Sequence, residues 1–118
     1  SKNIYCDYLE WGNLENTIKD YDIIINCTDI GFGTKVSQSP LSEKIIRNLK
    51  NTSTIFDIIY DPSPTILLKS AKDKNLTAID GREMNLLQAA IAFDYTIKRK
   101  NTKITTYEIM YEKYINLN

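Results

Sequence analysis

Three short apolar runs, each ending at or just before a polar residue and each followed by helical spacing, constrain this chain more than any other feature. They are Asp22–Asn26, Thr54–Tyr60 and Leu76–Ile79. In the longest two, apolar residues occupy both parities, so neither strand has a face built for water. Such runs belong to a parallel sheet covered by helices. Parallel neighbours need a crossover, which a helix supplies, and the crossover is right-handed.

The intervening segments fit that plan. Asn13 is placed to cap a short helix with Leu14, Ile18 and Tyr21 on one face. Ser39-Pro40 reads as a helix start, cap then first-turn proline, with Leu41, Ile45, Ile46 and Leu49 as its apolar stripe. Ser63-Pro64 repeats the signal ahead of Leu67, Leu68 and Ala71. A long helix is expected over Arg82–Arg99. A last helix starts at Thr105, with Glu108 completing a capping box and Ile104 set against Ile109 as a staple. Asn3–Leu9 reads as a short further strand. The expected fold class is α/β: a partial doubly wound (Rossmann-like) parallel sheet of three to four strands with flanking helices.

With 118 residues and 42% hydrophobic content, the chain has the size and core of one domain. Its 15 basic and 15 acidic residues balance, which argues against nucleic acid or an anionic membrane as a partner held by bulk charge. The absence of histidine excludes a Cys/His zinc site and any histidine base. Two cysteines, Cys6 and Cys27, make no disulfide framework, which fits a reducing, cytoplasmic setting. Cys27 reads as a small buried filler. There is no apolar run of the roughly 18 residues that a membrane span requires.

In an open parallel α/β sheet, ligands lie outside the carboxyl ends of the strands. Here those ends are Asn26-Cys27-Thr28, Tyr60-Asp61-Pro62 and Asp80-Gly81. Parallel strands bring all three to one edge, so Tyr60 is expected on the wall of a cleft. The competing reading is an ordinary strand-to-helix turn with Tyr60 half exposed.

These motifs carry a family resemblance. Asn26, Thr28 and Gly31, then Asp57, Tyr60, Pro62, Thr65 and Leu68, then Gly81, Met84, Gln88 and Ala89 resemble the carboxyl-terminal half of shikimate dehydrogenases, over roughly residues 22–97. The resemblance implies one partial NADP-binding domain over residues 1–118. It also implies a parent activity, NADPH-dependent reduction of 3-dehydroshikimate to shikimate in aromatic amino-acid biosynthesis. By position, it places Thr28, Ile58 and Gly81 against the cofactor, largely through backbone. It sets Met84 beside the nicotinamide, and Tyr60 and Gln88 against the substrate. A thioether conforms well to a flat ring, a glycine permits close approach, and a phenol and an amide can read hydroxyl groups.

Without the resemblance, these residues have plainer readings. Gln88 falls on a polar stripe with Asn85, Met84 is a core residue, and Thr28 bonds its own turn. Asp29, Phe32, Arg82-Glu83 and Asn85 depart from the family pattern, and Asp29 sets negative charge near a phosphate-bearing cofactor. The family's catalytic lysine and aspartate belong to an amino-terminal substrate domain with no counterpart here, so no catalytic residue is assigned. Gly31–Val36 reads as a loop and not as the Gly-rich phosphate loop. The chain by itself is therefore expected to be inactive. The strand at Ile23–Ile25 is expected to have one unpaired edge, covered by Asn3–Leu9, by a second copy, or by pairing with an amino-terminal half. The alternative is a non-catalytic module for nucleotide binding or assembly.

Overall fold

The computed structural model describes residues 6–97 and 105–117. Three strands, β1 (Ile23–Asn26), β2 (Thr54–Asp57) and β3 (Thr77–Ile79), form a parallel sheet in that order. Register places Ile24 beside Ile55, and Ile55 beside Ala78; the next row is Ile25, Phe56 and Ile79. Side chains alternate between faces along a strand, so these two rows point to opposite sides. In the doubly wound order 3-2-1-4-5-6, the sequential neighbours 4-5-6 have this pattern.

One face is built. Helices α2 (Glu43–Asn48) and α3 (Ile66–Asp73), with the short α1 (Leu14–Thr17) and the turn after it, cover Ile24, Ile55 and Ala78. Ile46, Ile55, Leu67, Leu68 and Ala71 are all but fully buried there. Each large aliphatic side chain so buried contributes about 1.5–3 kcal/mol. The other face is open among the described residues: Ile25 is 52% and Ile79 48% exposed. The expectation of helices over both faces therefore holds on one side only.

Local signals were displaced by a few residues. The cap of α2 is Ser42, whose hydroxyl accepts from the Ile45 N–H, not Ser39. The cap of α3 is Thr65, not Ser63. In both cases a proline fixes the approach and the first hydroxyl beyond it closes the helix. Asn13 stands at the start of α1 but makes no side-chain cap. α3 ends where Asn75 turns left-handed (φ 61°), its N–H bonded to the Lys72 carbonyl, an asparagine use that costs little. Residues 6–10 are not strand, so the expected strand at Asn3–Leu9 is corrected over its described part. They are also exposed and cover no edge.

Helices α4 (Arg82–Thr96) and α5 (Thr106–Leu117) pack on each other. The Thr105 capping box forms: its N–H donates to Glu108 Oε2 at 2.7 Å and the Glu108 N–H donates back to Thr105 Oγ1 at 3.1 Å. The Thr105 N–H and the Thr105 hydroxyl, both donating to the Glu108 carboxyl, hold it below its ordinary value. The Thr106 hydroxyl donates to Asp94 of α4. Ile104 of the expected staple, and Lys98–Arg99 at the expected end of the long helix, lie outside the described residues. No helix among the described residues is long and apolar enough to cross a membrane.

Candidate functional site

The three strand ends meet at one edge, and a buried carboxylate ties the first two. Asp57, the last residue of β2, has no exposed surface. Its Oδ1 accepts from Asn26 Nδ2 at 3.0 Å and from the Ile59 N–H at 3.1 Å. Its Oδ2 accepts from Thr65 Oγ1 at 2.7 Å. Asn26 Oδ1 in turn accepts from the Thr28 N–H at 3.0 Å and from Thr28 Oγ1 at 2.7 Å, and Thr28 Oγ1 accepts from the Ile30 N–H at 3.2 Å. Thr28 thus bonds its own turn and also belongs to the rim.

Gly81 closes the third strand end. Its N–H donates to the Ile59 carbonyl at 3.1 Å. A Cβ there would lie 2.0 Å from the Ile58 carbonyl oxygen, a distance no side chain can hold. The close approach that demands glycine is therefore to the protein's own β2–α3 turn. Gly31 is left-handed (φ 110°), and a Cβ would meet the Ile59 side chain at 3.2 Å.

Thr28, Asp29, Phe32, Ile58 and Tyr60 line a depression of about 310 Å³ at this edge. Tyr60, half exposed, also borders a second hollow of about 410 Å³, shared with Ser63, Arg82, Asn85, Met110 and Tyr114. The turn carrying Tyr60 has cis peptide bonds before Pro62 and Pro64. The structure therefore brings Thr28, Ile58 and Tyr60 together, with Gly81 directly behind Ile58. Met84 and Gln88 are exposed on α4 and line neither hollow; Gln88 Nε2 donates to Asn85 Oδ1 at 3.0 Å.

Charge at the rim is paired. The Lys35 ammonium donates to both Asp29 oxygens at 2.8 Å and holds that carboxyl below its ordinary value, so the negative charge expected at Asp29 is locally offset. Burial raises the Asp80 pKa, but hydrogen bonds from Arg82 and from Ser63 Oγ outweigh it, leaving the group below its ordinary 3.8. Four N–H groups of the Gly31–Val36 segment are spent on nearby carbonyls, Gly31 on Lys35, Phe32 on Asp29, Lys35 on Phe32 and Val36 on Gly33. This suits a loop and not a phosphate cradle. Cys27, expected as a buried filler, is exposed because β1 lacks a neighbour on that side among the described residues.

Sequence reasoning missed Phe32, which it read only as a departure from a pattern. It also left the Asp57 network unassigned. The one hint in the sequence is a charged residue, Asp57, inside an otherwise apolar run.

Fold and rim together define the carboxyl-terminal half of a doubly wound α/β domain with its strand-end crevice. No family model matches. Within that class, the chain matches shikimate dehydrogenases of the NADP(+) type. It is 35% identical over 89 residues to that of Crocosphaera subtropica, a stretch covering 75% of this chain and 31% of the relative. It is 39% identical over 92 residues to that of Dehalococcoides mccartyi, covering 78% and 31%. Among solved structures, a chorismate mutase/shikimate 5-dehydrogenase fusion protein from Clostridium acetobutylicum superposes at a TM-score of 0.74, with 27% identity over 91% of this chain and 37% of that one. A shikimate dehydrogenase in complex with NADP+ gives 0.60, with 30% identity over 78% and 31%. The chain belongs to the shikimate dehydrogenase family and corresponds to its carboxyl-terminal portion. It spans about a third of the length of the relatives it matches.

Proposed function

We propose that this chain is the cofactor-side portion of a shikimate dehydrogenase, contributing to the NADPH-dependent reduction of 3-dehydroshikimate to shikimate in the cytoplasm. The observation that carries this reading is the shared rim of Thr28, Ile58 and Tyr60, built at the strand ends of a sheet whose sequence matches that family. The rim suits the cofactor. Ile58 and Phe32 offer apolar surface to a flat nicotinamide, and the Tyr60 phenol stands beside it. NADPH would supply the hydride; this chain's residues would seat the ring and exclude water around it. Tyr60 and Gln88 remain the substrate-binding candidates, and Thr28, Ile58, Gly81 and Met84 the cofactor-binding ones. Met84 and Gln88 join the rim in this reading only when a second body stands against α4.

The chain alone lacks an acid or base suited to the chemistry and is inactive in this reading. The β1 edge and sheet face left open among the described residues support pairing with the other half of the fold, on the same polypeptide or another, in preference to a homodimer. A non-catalytic assembly module would use the same surfaces. The decisive test is a chimera in which this chain replaces the matching carboxyl-terminal portion of the Dehalococcoides mccartyi relative. Shikimate-dependent reduction of NADP+ is expected. A chimera that folds and binds NADP+ but reduces none in the presence of shikimate would support the non-catalytic module instead.

A further inference from the structure

Resting on that functional reading, we infer that Asp57 is a positioning residue for the cofactor side of the rim, acting through Asn26 on Thr28 and through Thr65 on the turn that carries Tyr60. A fully buried carboxylate is costly to hold, and an apolar residue of similar size would often stabilise as well or better. What the carboxylate adds is geometry. All three of its partners are donors: the Asn26 amide, the Ile59 N–H and the Thr65 hydroxyl. As bonded here, an acceptor-only side chain satisfies them all. Asparagine has nearly the same shape but would turn an NH2 toward one of them, leaving the Asn26 amide, the Ile59 N–H or the Thr65 hydroxyl proton without its acceptor.

The consequences reach the rim on both sides. Asn26, with its amide fixed by Asp57, presents its oxygen to Thr28. The Thr28 hydroxyl proton is thereby committed inward, and its oxygen accepts from Ile30. Thr28 therefore meets a ligand through its methyl and backbone and not through that proton. On the other side, the backbone around Ile58 is held at successive points. The Ile58 N–H donates to the Asn26 carbonyl at 3.2 Å and the Ile59 N–H to Asp57. The Ile59 carbonyl accepts from Gly81. Thr65 spends its hydroxyl proton on Asp57 while its oxygen caps α3 through the Leu68 N–H at 3.3 Å.

Two measurements test this. In the full chain, D57N is expected to move the backbone amide resonances of Thr28 and Ile30, which Asp57 does not touch, and to leave those of Ile46 and Arg47 on α2 unchanged. T65S, which keeps the hydroxyl, should leave the rim resonances in place. In the chimera, D57N is expected to raise the KM for NADP+ at least tenfold with the KM for shikimate within twofold, and T65S to behave as wild type. If D57N does not fold, T65V, which removes one donor to Asp57 together with the α3 cap, takes its place in both measurements. Movement confined to the residues that touch Asp57 would overturn the inference. So would a KM for NADP+ that stays put, or activity that falls only in proportion to the folded fraction. A wild-type chimera without activity would sink the functional reading, while the amide resonances would still decide whether Asp57 sets the rim.

Discussion

The two faces of one three-stranded sheet have opposite fates. Ile24, Ile55 and Ala78 lie under α2 and α3, in a core where Ile55 is fully buried. Ile25, Phe56 and Ile79 form the neighbouring row on the other side, and two of the three are about half exposed. Their chemistry is alike; their surroundings differ. An apolar residue stabilises a strand by what covers it, so β-propensity alone does not decide which face is a core. The open row has the composition of an interior and the exposure of a surface, which is the mark of an interface.

The largest effect should separate the two faces outright. Leu67→Ala or Ile55→Ala, on the built side, is expected to cost about 3–5 kcal/mol. Ile25→Ala or Ile79→Ala should cost less than about 1 kcal/mol in the chain alone, both read from urea unfolding. In the chimera the Ile25→Ala cost should rise to about 2–3 kcal/mol, because the same methyl groups are then buried. Equal costs on the two faces of the isolated chain would erase the distinction.

Next in size is Gly81→Ala. The Cβ would displace the Ile58 carbonyl, at an expected cost of about 2–3 kcal/mol, and would shift the backbone of the rim. Thr65→Ala should follow at about 2 kcal/mol, combining a lost helix cap with a lost partner for Asp57. The smallest effect is a pH dependence. The Asp80 carboxyl sits below its ordinary value in the folded chain. Its contribution to stability is therefore complete above the unfolded value near 3.8 and disappears as pH falls through the lower folded value. Arg82→Ala, which removes the principal partner, should flatten the stability curve below about pH 4. An unchanged curve would show that the pair contributes nothing measurable.

The sequence carried the strands and the rim because their signals are local. Three apolar runs, stopped at Asn26, Tyr60-Asp61 and Asp80, need only apolar content and length to be read, although β2 itself ends earlier, at Asp57. The helix starts were read two to three residues early. Ser39-Pro40 and Ser63-Pro64 look like caps, yet Ser42 and Thr65 hold the free N–H groups, and a threonine after a Ser-Pro pair offers no pattern to rank it above the serine. The Asp57 network stayed hidden because it joins residues 26, 57 and 65, and a contact across that separation has no periodicity. The exposure of Cys27 was misread for a related reason: its burial depends on a neighbour for β1, not on its own sequence.

The proposal rests most heavily on the edge and face of β1 that are open among the described residues receiving the other half of the fold. In a parallel ladder, alternate residues direct both backbone groups to one side. With the Asp22 and Asn26 carbonyls bonded to Thr54 and Ile58 of the β2 segment, the amides of Ile23 and Ile25 face outward. Amide hydrogen exchange at these two residues should be fast in the chain alone and slowed at least a hundredfold in the chimera. Equal exchange rates in the two forms would contradict it.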